Sequence, residues 1–213
     1  MRTNLLKVAQ GSTRAHTGRL RKIGIYGGTF DPVHHAHLIL AREALEQMEL
    51  ERVLFIPAAL SPHKVNEMPT APALRVEMLR AAIAEEKRFA VDERELRRPP
   101  PSFTIDTIDE LQREDSQREL YYLIGSDQLA RLETWHRINE LRRLVTFVVL
   151  DRTGSATGSV YRTIHRPLDI SSTEIRNRVA RGQPIRYLVP AAVEEIIRRE
   201  SLYQDTTRSP RNN

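Results

Sequence analysis

The chain has 213 residues, 40% of them hydrophobic, which is enough for one domain with a real core. It has no cysteine, which excludes disulfides, thiolate catalysis and cysteine-ligated zinc. The formal net charge of +5 and a pI of about 9.8 favour anionic partners such as nucleotides, phosphates, nucleic acid or an acidic surface, without choosing among them.

No apolar run approaches the ~18 residues of a membrane span, so no membrane partner is expected. Nothing requires an oxidising compartment, which makes the cytoplasm the default location. Part of the positive charge sits in the first twenty-two residues, which contain no acid. That segment superficially resembles an organellar transit peptide but lacks an apolar face. We read 1–21 as a basic, disordered tail, 22–203 as the folded domain and 204–213 as a second polar tail.

From residue 22 strands and helices alternate. "KIGIY" reads as a buried strand. Residues 35–49 read as a helix, with Leu38, Ala41, Leu45 and Met48 at helical spacing. A strand over 52–58 leads into a Pro-rich loop, "ALSPHKVNEMPTAP". A helix over 73–87, a short strand "FAVDE", a break at "RRPPPSF" and a helix over 104–114 come next. Strands follow at 120–125 and 144–150, then helices over about 171–181 and 190–200. Strands separated by helices predict a single α/β domain with a doubly wound, Rossmann-like parallel sheet. The near-continuous apolar strands fit a sheet covered on both faces. Ligands bind beyond the carboxyl ends of such strands, and the unusual segments "GGTFDPVHHAH", "PAALSPHK", "GSDQL" and "DRTGSATG" all fall there.

In the first of these, Gly27 and Gly28 permit a tight turn and close approach of a ligand. They match neither the three-glycine dinucleotide fingerprint nor a Walker A loop. His34 and His37, three apart at a helix start, share a face, where free N–H groups and the helix dipole favour anions. Three readings compete: phosphate binding, a metal site with Asp31, and packing or capping alone. His35 is assigned to solvent. In "ISSTEIR", Ser171 to Glu174 fits a capping box that needs no ligand. The spare hydroxyls of Ser172 and Thr173, with Arg176 one turn on, also suit an anion. Two such sites at the mouth of one sheet suggest a polyphosphate held between two helix ends.

These two segments resemble the paired signatures of the nucleotidylyltransferase superfamily, H-x-G-H and I-S-S-T-x-I-R. With "SPHK", "PSFTIDTIDEL", "GSDQL" and "TWHR" between them, residues 22–203 resemble the bacterial nicotinate-nucleotide adenylyltransferase family. One departure is Ala36, standing where that family usually has glycine; its methyl would sit where backbone approaches nucleotide, with ATP affinity altered. The resemblance implies transfer of the adenylyl group of ATP to nicotinate mononucleotide, with pyrophosphate released. By that resemblance His34 and His37 contact the ATP phosphates. Thr29 and the backbone of Gly28 and Phe30 lie near the reacting phosphorus. Ser172, Thr173 and Arg176 grip the leaving pyrophosphate, and Lys64 reaches in as a mobile charge. Gly125 and Asp127 contact ribose, Trp135 stacks on the pyridine ring, and Thr104 helps hold the nicotinate. Mg2+ arrives with ATP, with no protein metal site implied.

Each residue also has a plainer reading: a solvated Lys64, a core Trp135, an Asp127 that caps the next helix. Asp106 and Asp109 receive no role, and "RRPPP" and "LRRL" read as solvated faces. Rival functions are adenylyl transfer to nicotinamide mononucleotide or phosphopantetheine, a metal-dependent hydrolase, and a non-catalytic nucleotide or nucleic-acid binder. No RNA-binding signature or interleaving of basic and aromatic residues supports the last, so no nucleic-acid partner is expected. Homo-oligomerisation stays open.

Overall fold

A computed structural model of the protein describes residues 20–59, 68–154, 156 and 158–204. In chain order these form β1 (Arg21–Gly28), α1 (His35–Gln47), β2 (Arg52–Pro57), α2 (Pro72–Ile83), β3 (Phe89–Val91), a 3-10 turn at Arg94–Arg97, α3 (Thr104–Glu114) and β4 (Arg118–Gly125). Then come α4 (Ser126–Leu129), a 3-10 turn at Leu132–Thr134, α5 (Ile138–Leu144), β5 (Val145–Asp151), β6 (Arg162–His165), α6 (Ser172–Ala180) and α7 (Ala191–Arg199). The six strands make one sheet in the order β3-β2-β1-β4-β5-β6, and every pairing is parallel.

Alternation along the strands divides the core. Ile23 and Ile25 of β1 join Leu120, Tyr122 and Ile124 of β4 on one face, closed by Ile105, Ile108 and Leu111 of α3 and by Ile138 and Leu141 of α5. Tyr26 and Phe55 join Leu123 and Leu150 on the other, under α1, α2 and α7. Apolar residues on both sides of the same strands explain their unbroken hydrophobic runs, since each buried side chain stabilises the sheet whichever way it points.

Two elements were not legible in the sequence. β6 is an edge strand in which Ile164 alone is buried, so it carries no hydrophobic period for a sequence reading to detect. α5 is seven residues long and starts after Arg137 in the left-handed region. Its buried Leu141 belongs to "LRRL", which is therefore a half-buried helix end rather than a wholly solvated face. "FAVDE" is correspondingly shorter as a strand, ending at Val91.

The strand order places the site. From β1 the chain winds outward to β2 and β3, then crosses back through α3 to β4 on the opposite side of β1. The connections therefore diverge at the carboxyl ends of β1 and β4, where such sheets leave a crevice for ligand.

Candidate active site

A cavity of about 870 Å3 opens at this crevice. The turn that floors it is set by backbone constraints. Any side chain at Gly27 would put its Cβ 2.6 Å from the Tyr122 hydroxyl of the neighbouring strand. Three residues on, Phe30 takes a left-handed φ of 51°, a conformation that costs a bulky residue about 1–3 kcal/mol and persists only when packing holds it. Its ring is buried edge-on to Tyr26, 5.5 Å between centroids, and 5.1 Å from the His37 ring.

His34 is the extended N-cap residue of α1, and His37 sits in the first turn. Their rings stack with centroids 3.7 Å apart. His37 Nδ1 accepts the His34 backbone N–H at 3.3 Å, which leaves Nε2 to carry the proton of the neutral ring. His34 Nδ1 is buried without a partner. Burial pushes His34 down to about 3, with the positive charge of Arg152 acting in the same direction. Burial, then His34, then Arg152 hold His37 well below the usual imidazole range. Both rings are thus neutral at pH 7, and His37 presents a fixed N–H donor.

Helix α6 closes over this turn. The Ser171 hydroxyl accepts the Glu174 N–H at 3.1 Å, which is the serine half of the capping box expected from sequence. The Ser172 hydroxyl donates to the Pro32 carbonyl at 2.9 Å, and Arg176 Nη1 donates to the Asp31 carbonyl at 2.8 Å. The hydroxyl proton of Ser172 is therefore committed to joining the two signature segments, which leaves that oxygen only as an acceptor. Arg176 Nη2 lies 3.5 Å from the Thr173 hydroxyl and also lines the cavity.

The opposite end of the cavity is aromatic. Trp135 meets Tyr122 edge-on at 5.6 Å, and Phe103 lies 4.7 Å from His136. The Thr104 hydroxyl is 3.4 Å from that of Tyr122. Ser102 Oγ and Trp135 Nε1 are buried with no hydrogen-bond partner, a costly condition unless a ligand supplies one. Glu95 accepts from the Thr107 hydroxyl at 2.8 Å, and burial raises its carboxyl above the usual range. Between the two ends Gly125 and Asp127 line the wall, with Gln128 donating to the Asp127 carboxylate at 2.9 Å.

The structure thus gathers around one cavity His34, His37, Gly28, Thr29, Phe30, Thr104, Gly125, Asp127, Trp135, Ser172, Thr173 and Arg176, all singled out from sequence. Lys64 lies outside the described residues. Ala36 is fully buried in α1 and is not among the cavity's lining residues, so its methyl packs into the protein instead of facing the ligand space. Asp31 is not a partner for the two imidazoles: its carboxylate accepts from the Tyr203 hydroxyl at 2.6 Å and from the Thr70 N–H at 3.0 Å. Among the described residues no three His, Asp or Glu side chains converge as a metal site. Sequence reasoning missed Arg152, which lines the cavity and is held by the Ile170 carbonyl at 2.6 Å. Its signal was its place directly after a buried parallel strand. No helix of the described residues is long and apolar enough to cross a membrane.

A cytidylyltransferase-like family model matches residues 25–178. A probable nicotinate-nucleotide adenylyltransferase of Exiguobacterium sibiricum is 44% identical over 187 residues, covering 85% of this chain and 98% of the relative. One of Geobacillus thermodenitrificans is 45% identical over 185 residues, covering 85% and 86%. In fold, the chain is similar to the Plasmodium falciparum nicotinic acid mononucleotide adenylyltransferase complexed with NaAD, with a TM-score of 0.73, 18% identity and coverage of 86% and 97%. With relatives this similar over nearly their whole length, and with both signatures meeting at one cavity, the chain belongs to the cytidylyltransferase-like family and, within it, to the nicotinate-nucleotide adenylyltransferases.

Proposed function

We propose that the cavity aligns ATP and nicotinate mononucleotide so that the chain transfers the adenylyl group of the first to the second. A 5′-phosphate oxygen of the mononucleotide attacks the α-phosphorus in line, a new P–O bond forms, the α–β bridge breaks and its electron pair leaves with pyrophosphate. The nucleophile is already anionic at neutral pH, so the site needs no general base; it needs fixed donors and alignment. The observation that carries this reading is the pair of stacked, neutral imidazoles lining the same cavity as the N-terminus of α6.

His37 Nε2–H donates to an oxygen of the α-phosphate, where negative charge redistributes during transfer. His34, extended at the start of α1, contributes its ring and the helix N-terminus to the same phosphates. The backbone of Gly28, Thr29 and Phe30 lies along the reacting group. Arg176, the hydroxyl of Thr173 and the N–H groups around Ser172 receive the β- and γ-phosphates, with Arg152 and Lys64 as further cations. Gly125 and Asp127 face the ribose. Trp135 stacks on the pyridine ring, and Ser102 and Thr104 hold its substituent. Mg2+ enters as part of the ATP substrate, coordinated mainly by phosphate oxygens and water.

The test is pyrophosphate release from Mg·ATP with nicotinate mononucleotide, nicotinamide mononucleotide and phosphopantetheine in parallel. Strong preference for the first is expected. Preference for another acceptor overturns the assignment of the aromatic end and keeps that of the phosphate end.

A further inference from the structure

Two carboxylates in the cavity wall, Asp31 and Glu95, are left unused by the reaction above, and the first of them ties distant parts of the chain together. Asp31 is buried, and three parts of the chain converge on it from 39, 145 and 172 residues away. Oδ2 accepts the Thr70 N–H at 3.0 Å, and Oδ1 accepts the Tyr203 hydroxyl at 2.6 Å. The carbonyl of the same residue accepts Arg176 Nη1 at 2.8 Å. The surroundings make this junction stiff. Arg75, fully buried on α2, donates Nη1 to the Thr29 carbonyl at 2.8 Å and Nε to the Thr70 carbonyl at 2.9 Å. Tyr203 itself lies in the turn after α7, in the left-handed region, with its ring turned back into the cavity wall.

A carbonyl aims a guanidinium only if its own peptide plane is fixed. The Asp31 peptide has that constraint because the side chain on the same Cα is held at both oxygens. We propose that Tyr203 is a positioning residue for phosphate binding: its hydroxyl fixes the Asp31 carboxylate, and through it the carbonyl that directs Arg176 toward the β- and γ-phosphates. Burial and the adjacent carboxylate raise the phenol's pKa, so it stays a donor throughout the working pH range. The inference rests on the assignment of Arg176 to the ATP phosphates.

The experiment uses the full chain and reads Mg·ATP binding by calorimetry beside steady-state pyrophosphate release. Tyr203→Phe removes one hydroxyl and keeps the ring. It should weaken ATP binding about five- to tenfold, less than the direct loss of one hydrogen bond to a charged group because the effect reaches ATP only through Arg176. KM for the mononucleotide should stay near that of the unaltered protein, while the melting temperature should fall by a few degrees because the buried carboxylate loses a donor. Asp31→Asn, which removes the charge on the other side of the bond, should show the same selective loss. In an Arg176→Ala background Tyr203→Phe should add nothing, because its effect passes through that arginine. ATP binding unchanged in Tyr203→Phe, equal losses for both substrates, or a full additional loss in the Arg176→Ala background would each overturn the inference. If Arg176→Ala alone leaves ATP binding intact, the assignment of Arg176 fails instead.

Discussion

The two ends of the cavity are built differently. At the phosphate end most polar groups are already engaged by the protein: His37 by the His34 N–H, Ser172 by Pro32, Arg176 by Asp31, Ser171 by Glu174, with His34 Nδ1 the exception. At the aromatic end two buried polar atoms, Ser102 Oγ and Trp135 Nε1, wait without partners. The difference matches the work proposed for each. Stabilising charge in a transition state calls for donors that do not reorganise when it forms, so their orientation is fixed during folding. Selecting one acceptor calls for groups whose unmet hydrogen bonds penalise the wrong ligand.

The sharpest way to break this comparison is at His37. His37→Ala should lower turnover about a hundredfold, the usual scale for removing one preorganised donor, with circular dichroism unchanged. A folded variant with normal turnover would remove the imidazole from the mechanism. Neutrality of the imidazoles is tested by pH. His34 is 1% exposed and titrates near 3 in the native state, whereas an unfolded imidazole takes up its proton below ~6.5. The unfolded chain then binds more protons, so stability falls as pH drops from the ordinary value toward the native one. Between pH 7 and 5 this one residue should cost about 2 kcal/mol, read as the extra loss in urea unfolding relative to His34→Asn. Parallel losses in the two proteins would mean that His34 is not held neutral.

The aromatic end responds in a different parameter. Trp135→Ala should raise KM for the mononucleotide about tenfold, the scale of one lost stacking contact, and leave KM for ATP alone. A rise in both would show that the two ends are not independent. The smallest effect belongs to a residue whose work is purely local. Ser171→Ala removes the α6 cap and should lower stability by about 1 kcal/mol, with turnover per folded molecule nearly unchanged. A large drop in turnover would instead put Ser171 among the phosphate donors.

Legibility in the sequence follows how local each signal is. The strands "KIGIY" and "YYLIG" and the helix carrying Ala41 and Leu45 were readable because burial imposes a period on neighbouring residues. β6, with one buried residue, has no such period. The same limit governed Asp31. In sequence it stands beside two histidines and invites a metal-site reading, yet its partners are Thr70 and Tyr203.

By itself, then, the sequence determined the α/β class and the two signature segments, with the family they resemble, because periodicity, glycine placement and residue type are properties of short stretches. Only the tertiary structure decided how those stretches act together. It stacked the two imidazoles under Arg152's charge, turned the Ser172 hydroxyl to Pro32 and delivered Tyr203 to Asp31. Those partners are brought together by the sheet order and by burial, and neither is encoded at the residues that meet.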